Sequence, residues 1–409
     1  MNEATKVQPF FGWWVLFAAS LSLAFSPGPM IFGSIGLFVP HLTGEFGWSR
    51  GQIMLGLTLF NLGGFAAAPF TGRLIDRLGA RVVILPSLLL LTAGFVAIGY
   101  LASSLPIYYA IALAWGLLTV GSQSISYAHL LVGWFPRRRG MAIGIAAAGL
   151  GLGFMIMPLI AQALLSQMKW QQAMMSLGVI VLIGPLLLNL VFARPNPGEL
   201  NIKSRDELDG LTLDETRRTV TFWLIACAIF LMASVLAGVV PHMVIVAGDA
   251  GLNPASAAGV AALYGGATLI GRLVVGLLVD RFAVARVTML FFALSGLGFV
   301  LLAVASTGGG DPILLYVAAI AIGAGFGAES DVIAIFISRY FGQRAFGAIY
   351  GWMLSAFILG SAVGPAALGF GRDAFGDYRG LMLSAACVTC IAVVLISRLE
   401  KEPRRPAHS

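Results

Sequence analysis

The sequence predicts an all-α membrane protein, with twelve transmembrane helices in two pseudo-symmetric six-helix bundles. Three observations lead there. The chain has 409 residues, 59% of them hydrophobic and 11% charged, with a mean hydropathy of +0.92. Water-soluble domains carry about 25% charged residues, so that class is excluded. Apolar stretches of about 20 residues, enough for a helix to cross a bilayer, recur along the whole length. The basic residues also sort to alternate connections, as they do in a chain threaded back and forth through a membrane.

Apolar runs and their breakers place spans near 12–40, 52–72, 83–101, 107–135, 141–165, 173–193, 222–247, 256–279, 287–306, 312–338, 347–369 and 380–397. The connections are short except for RPNPGELNIKSRDELDGLTLDETRRTV, whose prolines and dense charges mark a linker. The expected organisation is a first bundle over 1–193, a cytoplasmic linker over 194–221, and a second bundle with a short tail over 222–409. Of the 25 Lys and Arg, twenty fall at the termini, in the linker or in the even-to-odd loops. Arg50, Lys169, Arg372 and Arg379 fall on the other side, and Arg272 lies within a span. The positive-inside rule then puts both termini in the cytoplasm of a cell with this protein in its inner membrane. The net charge of +7 reflects this orientation, and no nucleic-acid partner is expected.

Individual spans carry specific signals. In the first, Pro27 and Pro29 of SPGPMIFG cannot donate backbone hydrogen bonds and bend the helix. The fourth holds a polar cluster of Gln123, Ser124, Ser126, Tyr127 and His129. Gln123 and Tyr127 share a face at i,i+4 in a continuous helix, and with Ser124 they are candidate substrate ligands. The alternative is that these groups satisfy neighbouring helices, as small polar side chains commonly do in membranes. Gly144, Gly149, Gly151 and Gly153 in the fifth span and Gly351, Gly360 and Gly364 in the eleventh permit close helix approach. His242 in the seventh span titrates near neutrality when unperturbed; it is a candidate ligand or proton relay, or a structural group. Cys227, Cys387 and Cys390 lie in apolar spans and are read as small buried hydrophobes, with no metal expected.

Arg272 is the only charged residue between Asp249 and Asp280. Its guanidinium keeps its proton at any biological pH and must meet an opposite charge. Placing it in a span costs about 2.5–3.5 kcal/mol on insertion scales. A fixed cation half way across a bilayer suits a carrier of anions. Glu329 and Asp331 are the carboxylates well inside a span. Counted at about 1.5 Å per residue from Arg339 and Arg281, Glu329 and Arg272 both lie roughly 14–15 Å from the cytoplasmic surface. Positions 329 and 331 are about 200° apart around a helix, so both cannot readily face Arg272. Either can neutralise the empty site, release Arg272 to a substrate carboxylate and take up a proton. Either can equally brace two helices.

The two halves repeat. GRLIDR at Gly72–Arg77 recurs as GLLVDR at Gly276–Arg281, an offset of 204. FPRR at Phe135–Arg138 recurs as FGQR at Phe341–Arg344, an offset of 206. Such repeats place a binding site near the midplane and let one half rock against the other. Gly72, Asp76, Arg77, Arg81, Asp280 and Arg281 sit at helix ends where charge pairs and helix dipoles can latch the halves.

GRLIDRLGAR at Gly72–Arg81 resembles the loop signature of the major facilitator superfamily, and twelve spans with a charged central linker extend the match over almost the whole chain. Within it, the chain resembles the monocarboxylate transporter family and its neighbour, the oxalate:formate antiporter group. The residues responsible are FFGWW at Phe10–Trp14, GWFPRRRGMAIG at Gly133–Gly144, GRLVVGLLVD around Arg272 and GFGAESDVIAIFISRYFG at Gly325–Gly342. The resemblance implies that Arg272 is the substrate-binding arginine of the eighth helix. It also implies two departures. Gly33 stands where animal members carry a lysine, and Thr268 where they carry an aspartate. Phe357 stands where the oxalate carrier has a lysine, and would pack the apolar part of a substrate. A missing second cation favours a monocarboxylate over a dianion.

The expected function is therefore proton-coupled symport of a small monocarboxylate, such as lactate or pyruvate, by alternating access. An organic anion exchanger or a drug or metabolite efflux carrier on the same fold is the alternative. No enzyme activity is expected, since no nucleophile–base pair or nucleotide loop is evident; GLGLG at Gly149–Gly153 lies in a membrane helix. No cofactor is expected beyond a proton as coupling ion. The partners are the substrate and the lipid bilayer, and the functional unit is a monomer.

Overall fold

The structure is a computed structural model, described for residues 10–135, 138–195, 210–306, 311–342 and 344–399. The side chains of Asp76, Arg139, Ser330 and Asp331 lie outside the described residues, as do most of the linker and the tail. Its elements are α-helices of membrane-spanning length: α1 Gly12–Phe46, α2 Arg50–Leu78, α3 Ala80–Leu101, α4 Leu105–Trp134, α5 Arg139–Leu165 and α6 Trp170–Phe192. The second half holds α7 Val220–Asp249, α8 Pro254–Val279, α9 Val284–Ala305, α10 Ile313–Phe336, α11 Phe346–Phe375 and α12 Arg379–Ser397. A short helix, Leu213–Arg217, ends the linker. Among the described residues the sole β-type pairing is an isolated bridge between Gly210 and Gly342, which ties the linker to the α10–α11 connection.

Helix ends follow local chemistry. Ser49 and Gln52 form a capping box at the start of α2, and Asn253 caps α8 ahead of Pro254 at its first position. On the linker helix, the capping box of Thr212 and Glu215 holds the Glu215 carboxyl below its usual range. Four spans are irregular, α6 through a π-helical turn at Leu182–Leu186. α1 opens into a π-helical turn at Gly28–Phe32, directly after Pro27. α10 bends by 42° between Glu329 and Val332. α4 breaks: its first segment stops at Thr119, Val120–Ser122 is a 3₁₀ turn, and Gln123 is extended at ψ 178° before the second segment, Ser124–Trp134.

The packing repeats between the halves. In the first, α1 packs on α5, α2 on α4 and α3 on α6; in the second, α7 packs on α11, α8 on α10 and α9 on α12. The halves meet through α2 against α11 and α5 against α8, pairs that the same symmetry exchanges. Outer faces are apolar and exposed, as with Leu263, Ile270 and Leu277, one stripe of α8. That inverted surface belongs in lipid. Cys227, Cys387 and Cys390 are also exposed, so they sit on this lipid-facing belt and not in the core.

The interface is asymmetric along the membrane normal. None of residues 50–60 of α2 is exposed, whereas Leu62, Phe65, Ala66, Pro69 and Phe70 are. On the α8 face toward α5, Gly265 and Leu269 are not exposed, whereas Leu273 and Gly276, further along the same line, are. A methyl group added at Gly72, Gly144, Gly276 or Gly351 would meet open space. One at Gly151 or Gly265 would run into the backbone across the interface. The halves thus close on the far face, opposite the termini, and part toward the terminus-bearing face.

Candidate functional site

Arg272 is placed by backbone packing. On α10, Gly323 and Gly327 face the carbonyls of Tyr264 and Thr268 so closely that a Cβ at either would overlap them. A Cβ at Gly327 would also lie 3.1 Å from the Arg272 amide nitrogen. Residues 264, 268 and 272 therefore form one stripe of α8 pressed onto a glycine stripe of α10. Thr268, buried and standing where the resemblance implies an aspartate, bridges the pair: its hydroxyl donates to Tyr264 O at 2.9 Å or Gly323 O at 3.1 Å. The guanidinium is half-buried one turn further along, where the halves begin to part.

Glu329 is fully buried on α10, and neither carboxyl oxygen has a hydrogen-bond partner among the described residues. Tyr264 lies within electrostatic reach of both Glu329 and Arg272. On the far side of this group an aromatic plug crosses the interface. Phe154 of α5 meets Phe326 of α10 edge-on at 5.7 Å, and Phe326 meets Tyr264 at 5.8 Å. Position 331 continues the four-residue spacing of Gly323 and Gly327 on α10; the side chain of Asp331 lies outside the described residues.

The other expected ligands are distributed differently. The break in α4 means that Gln123 and Tyr127 do not share a helical face, because the i,i+4 relation requires an unbroken helix. Gln123 is half-buried and Ser124 exposed. Tyr127 is 1% exposed and sits inside the first half beside Ser22 and Asn189. Asn189 of α6 donates to Ser22 Oγ at 2.6 Å and to Pro185 O at 2.7 Å, bridging a π-helical turn in α6. Phe357 is partly buried against the second-half core.

His242 is not presented to the space between the halves. It is fully buried near the far face, with Nε2 2.9 Å from Pro365 O and Nδ1 2.8 Å from the Tyr378 hydroxyl. A carbonyl only accepts, so Nε2 carries the proton and Tyr378 donates to Nδ1. Burial pushes the Tyr378 phenol up to about 12, which keeps it a donor. The substrate-contact reading of His242 therefore gives way to a structural one in this state.

The expected latch residues make no cross-half contact that the described residues show. Arg77, Asp280 and Arg281 are exposed. Arg81 donates to Leu190 O of its own half at 2.6 Å. Arg339 donates to the Val279 carbonyl, capping α8 within the second half. The cross-half polar contacts lie instead on the far face, where sequence reasoning missed them. Arg50 forms a bidentate pair with Asp249 at 2.5 and 2.9 Å. Gly51 N donates to Asp373 at 2.8 Å, Thr58 to Ala362 O, and Asn61 to Ser361 O at 3.2 Å. The sequence did carry a signal for this: two of the four far-face cations are Arg50 and Arg372.

Comparisons with known proteins agree with this architecture. Residues 21–308 and 222–409 match the model of the Major Facilitator Superfamily. Human Monocarboxylate transporter 11 is 31% identical over 407 residues, covering 94% of this chain and 82% of that protein. Rat Monocarboxylate transporter 13 is 25% identical, covering 92% and 86%. An uncharacterised MFS-type transporter of Escherichia coli is 24% identical, covering 85% of each. Among solved structures, the nucleoside transporter NupG superposes with a TM-score of 0.76 at 12% identity, covering 95% of this chain and 99% of that one. A bacterial homologue of the human lysosomal transporter Spinster, inward-facing and unoccupied, gives 0.69 at 18%, covering 95% of each. Fold, span count, repeat and family model converge: the chain belongs to the major facilitator superfamily.

Proposed function

We propose that this transporter is a secondary active carrier of small monocarboxylates, lactate- or pyruvate-like, which moves them with a proton by alternating access. The observation that supports this best is one guanidinium, Arg272, and one fully buried carboxyl, Glu329, both within electrostatic reach of Tyr264. Relatives named monocarboxylate transporters, similar over nearly the full length, point the same way. In the empty carrier a carboxyl of α10, Glu329 or Asp331, balances Arg272. An entering carboxylate takes the guanidinium in a bidentate grip, and the displaced acid binds a proton. Gly33, Thr268 and Phe357 supply no second charge, so the site suits one carboxylate. The terminus-bearing face is the cytoplasmic side of a cell membrane, the bundles 1–193 and 222–409 rock as units, and one chain suffices.

Uptake of labelled lactate and pyruvate into proteoliposomes, with and without an inward-acid gradient, tests this. Accumulation driven by the gradient is expected. Uptake of no monocarboxylate would overturn the substrate class, and gradient-independent accumulation would overturn proton coupling in favour of exchange.

A further inference from the structure

The far-face contacts hold a carboxylate with two cationic partners in different halves. Asp249, the last residue of α7, accepts two hydrogen bonds from Arg50 of α2, in the first half. Its Oδ2 also lies 3.7 Å from Nε of Arg372, near the end of α11 in its own half. That Nε is buried and makes no hydrogen bond among the described residues, so this edge of the guanidinium is turned toward Asp249 without yet bonding it. Tyr378, 2% exposed in the α11–α12 connection, keeps both cations in place. The guanidinium carbons of Arg50 and Arg372 each lie 5.8 Å from its ring centroid, and its hydroxyl is fixed by His242. Asp373 of α11 accepts from the Gly51 amide beside them.

We infer that Asp249 is a shuttle of the outer gate: paired with Arg50 while the far face is closed, it passes to Arg372 as the halves part. The inference rests on the alternating-access part of the proposed function and is independent of the substrate. Opening separates Arg50 from Asp249 because they belong to different halves. It does not separate Asp249 from Arg372, because α7 and α11 pack on each other along the second half. A carboxylate abandoned at a partly dry interface would make opening costly. A second cation waiting at 3.7 Å removes most of that cost, and only Arg50 must be taken up by water. The gate is then strong enough to close and weak enough to open.

The two arginines consequently act in opposite directions on one equilibrium, and this separates a shuttle from a static cluster. The measurement uses spin labels at Gln167→Cys and Ala255→Cys, exposed far-face positions in different halves, with Cys227, Cys387 and Cys390 replaced by Ser. Pulsed electron resonance in lipid nanodiscs then reads the ratio of far-open to far-closed distances. Arg50→Gln should raise that ratio about five- to tenfold, the worth of a charge-assisted, half-buried pair. Arg372→Gln should lower it about threefold or more, since the open state loses the acceptor's remaining partner. Arg372→Lys should restore it, and Arg50→Gln should add little once Asp249→Asn is present. Thermal unfolding of each variant shows that it is folded. An Arg372→Gln shift toward the open state, or none, would overturn the shuttle. A single fixed distance in every variant would overturn the rocking motion itself, and the shuttle with it.

Discussion

At the residue scale the chain keeps one guanidinium within its spans and surrounds it with geometry, not with countercharges on the same helix. Thr268 shows how: a hydroxyl bridging two helices stands where a carboxylate is implied, so α8 offers Arg272 no acidic neighbour one turn away. The balancing charge must come from α10 or from the substrate. Arg272→Lys keeps the charge but loses the planar fork. It should lower kcat/KM for monocarboxylate uptake at least tenfold, about 1.4 kcal/mol in transition-state terms. Normal transport by that variant would make Arg272 a brace. Glu329→Gln preserves shape and removes the titrating group. Counterflow of labelled for unlabelled substrate should persist while gradient-driven accumulation is lost. If accumulation survives, the proton resides elsewhere on α10, and Asp331→Asn becomes the deciding variant.

At the element scale, the contrast between α4 and α8 explains what the sequence reveals. Span positions are legible because bilayer thickness sets the length of each apolar run and breakers end it. The bend of α1 is legible for the same kind of reason, since Pro27 and Pro29 announce it. The break at Gln123 is not: GSQSISY contains no proline, and its glycine and serines weaken a helix without fixing where it stops. Only the packing of Gly121 against Ser87 and Val83 of α3 reveals why the chain turns there. Tyr127 is consequently inside the first half, and the expected face of ligands dissolves. In the α8–α10 contact, glycines at 323, 327 and 271 let the two backbones meet, as the glycines of the fifth span do at Gly149, Gly151 and Gly153. A methyl at Gly327 would press on the Thr268 carbonyl. Gly327→Ala should destabilise the protein by about 1–3 kcal/mol and displace Arg272, lowering both Tm and transport. Gly276→Ala meets open space on α8 and should gain up to about 1 kcal/mol from helix propensity. Equal Tm shifts for the two would show that backbone contact does not position Arg272.

At the scale of the whole molecule, the repeat at offsets of 204 and 206 gave the two-fold architecture but could not give the state in which it rests. Symmetry relates the α2–α11 and α5–α8 contacts, yet it leaves free the angle at which the halves meet. Close packing across the interface and polar contacts between distant positions, such as Arg50 with Asp249 across 199 residues, both bear on that angle. Sequence periodicity carries no trace of such a pairing. The closed far face makes a direct prediction about motion. Asn61 of α2 donates to the Ser361 carbonyl of α11 at 3.2 Å, so these positions touch only while the far face is shut. With the native cysteines replaced, Asn61→Cys with Ser361→Cys should cross-link through a short bifunctional thiol reagent. Cross-linking should abolish net uptake, and cleaving a reducible linker should restore it. Each single-cysteine variant should transport before and after treatment. If the linked protein carries substrate at an undiminished rate, the halves need not separate on the far face. The central site would then have to exchange with both sides by a local gate, and Arg272 would be reached without any rocking of the two bundles.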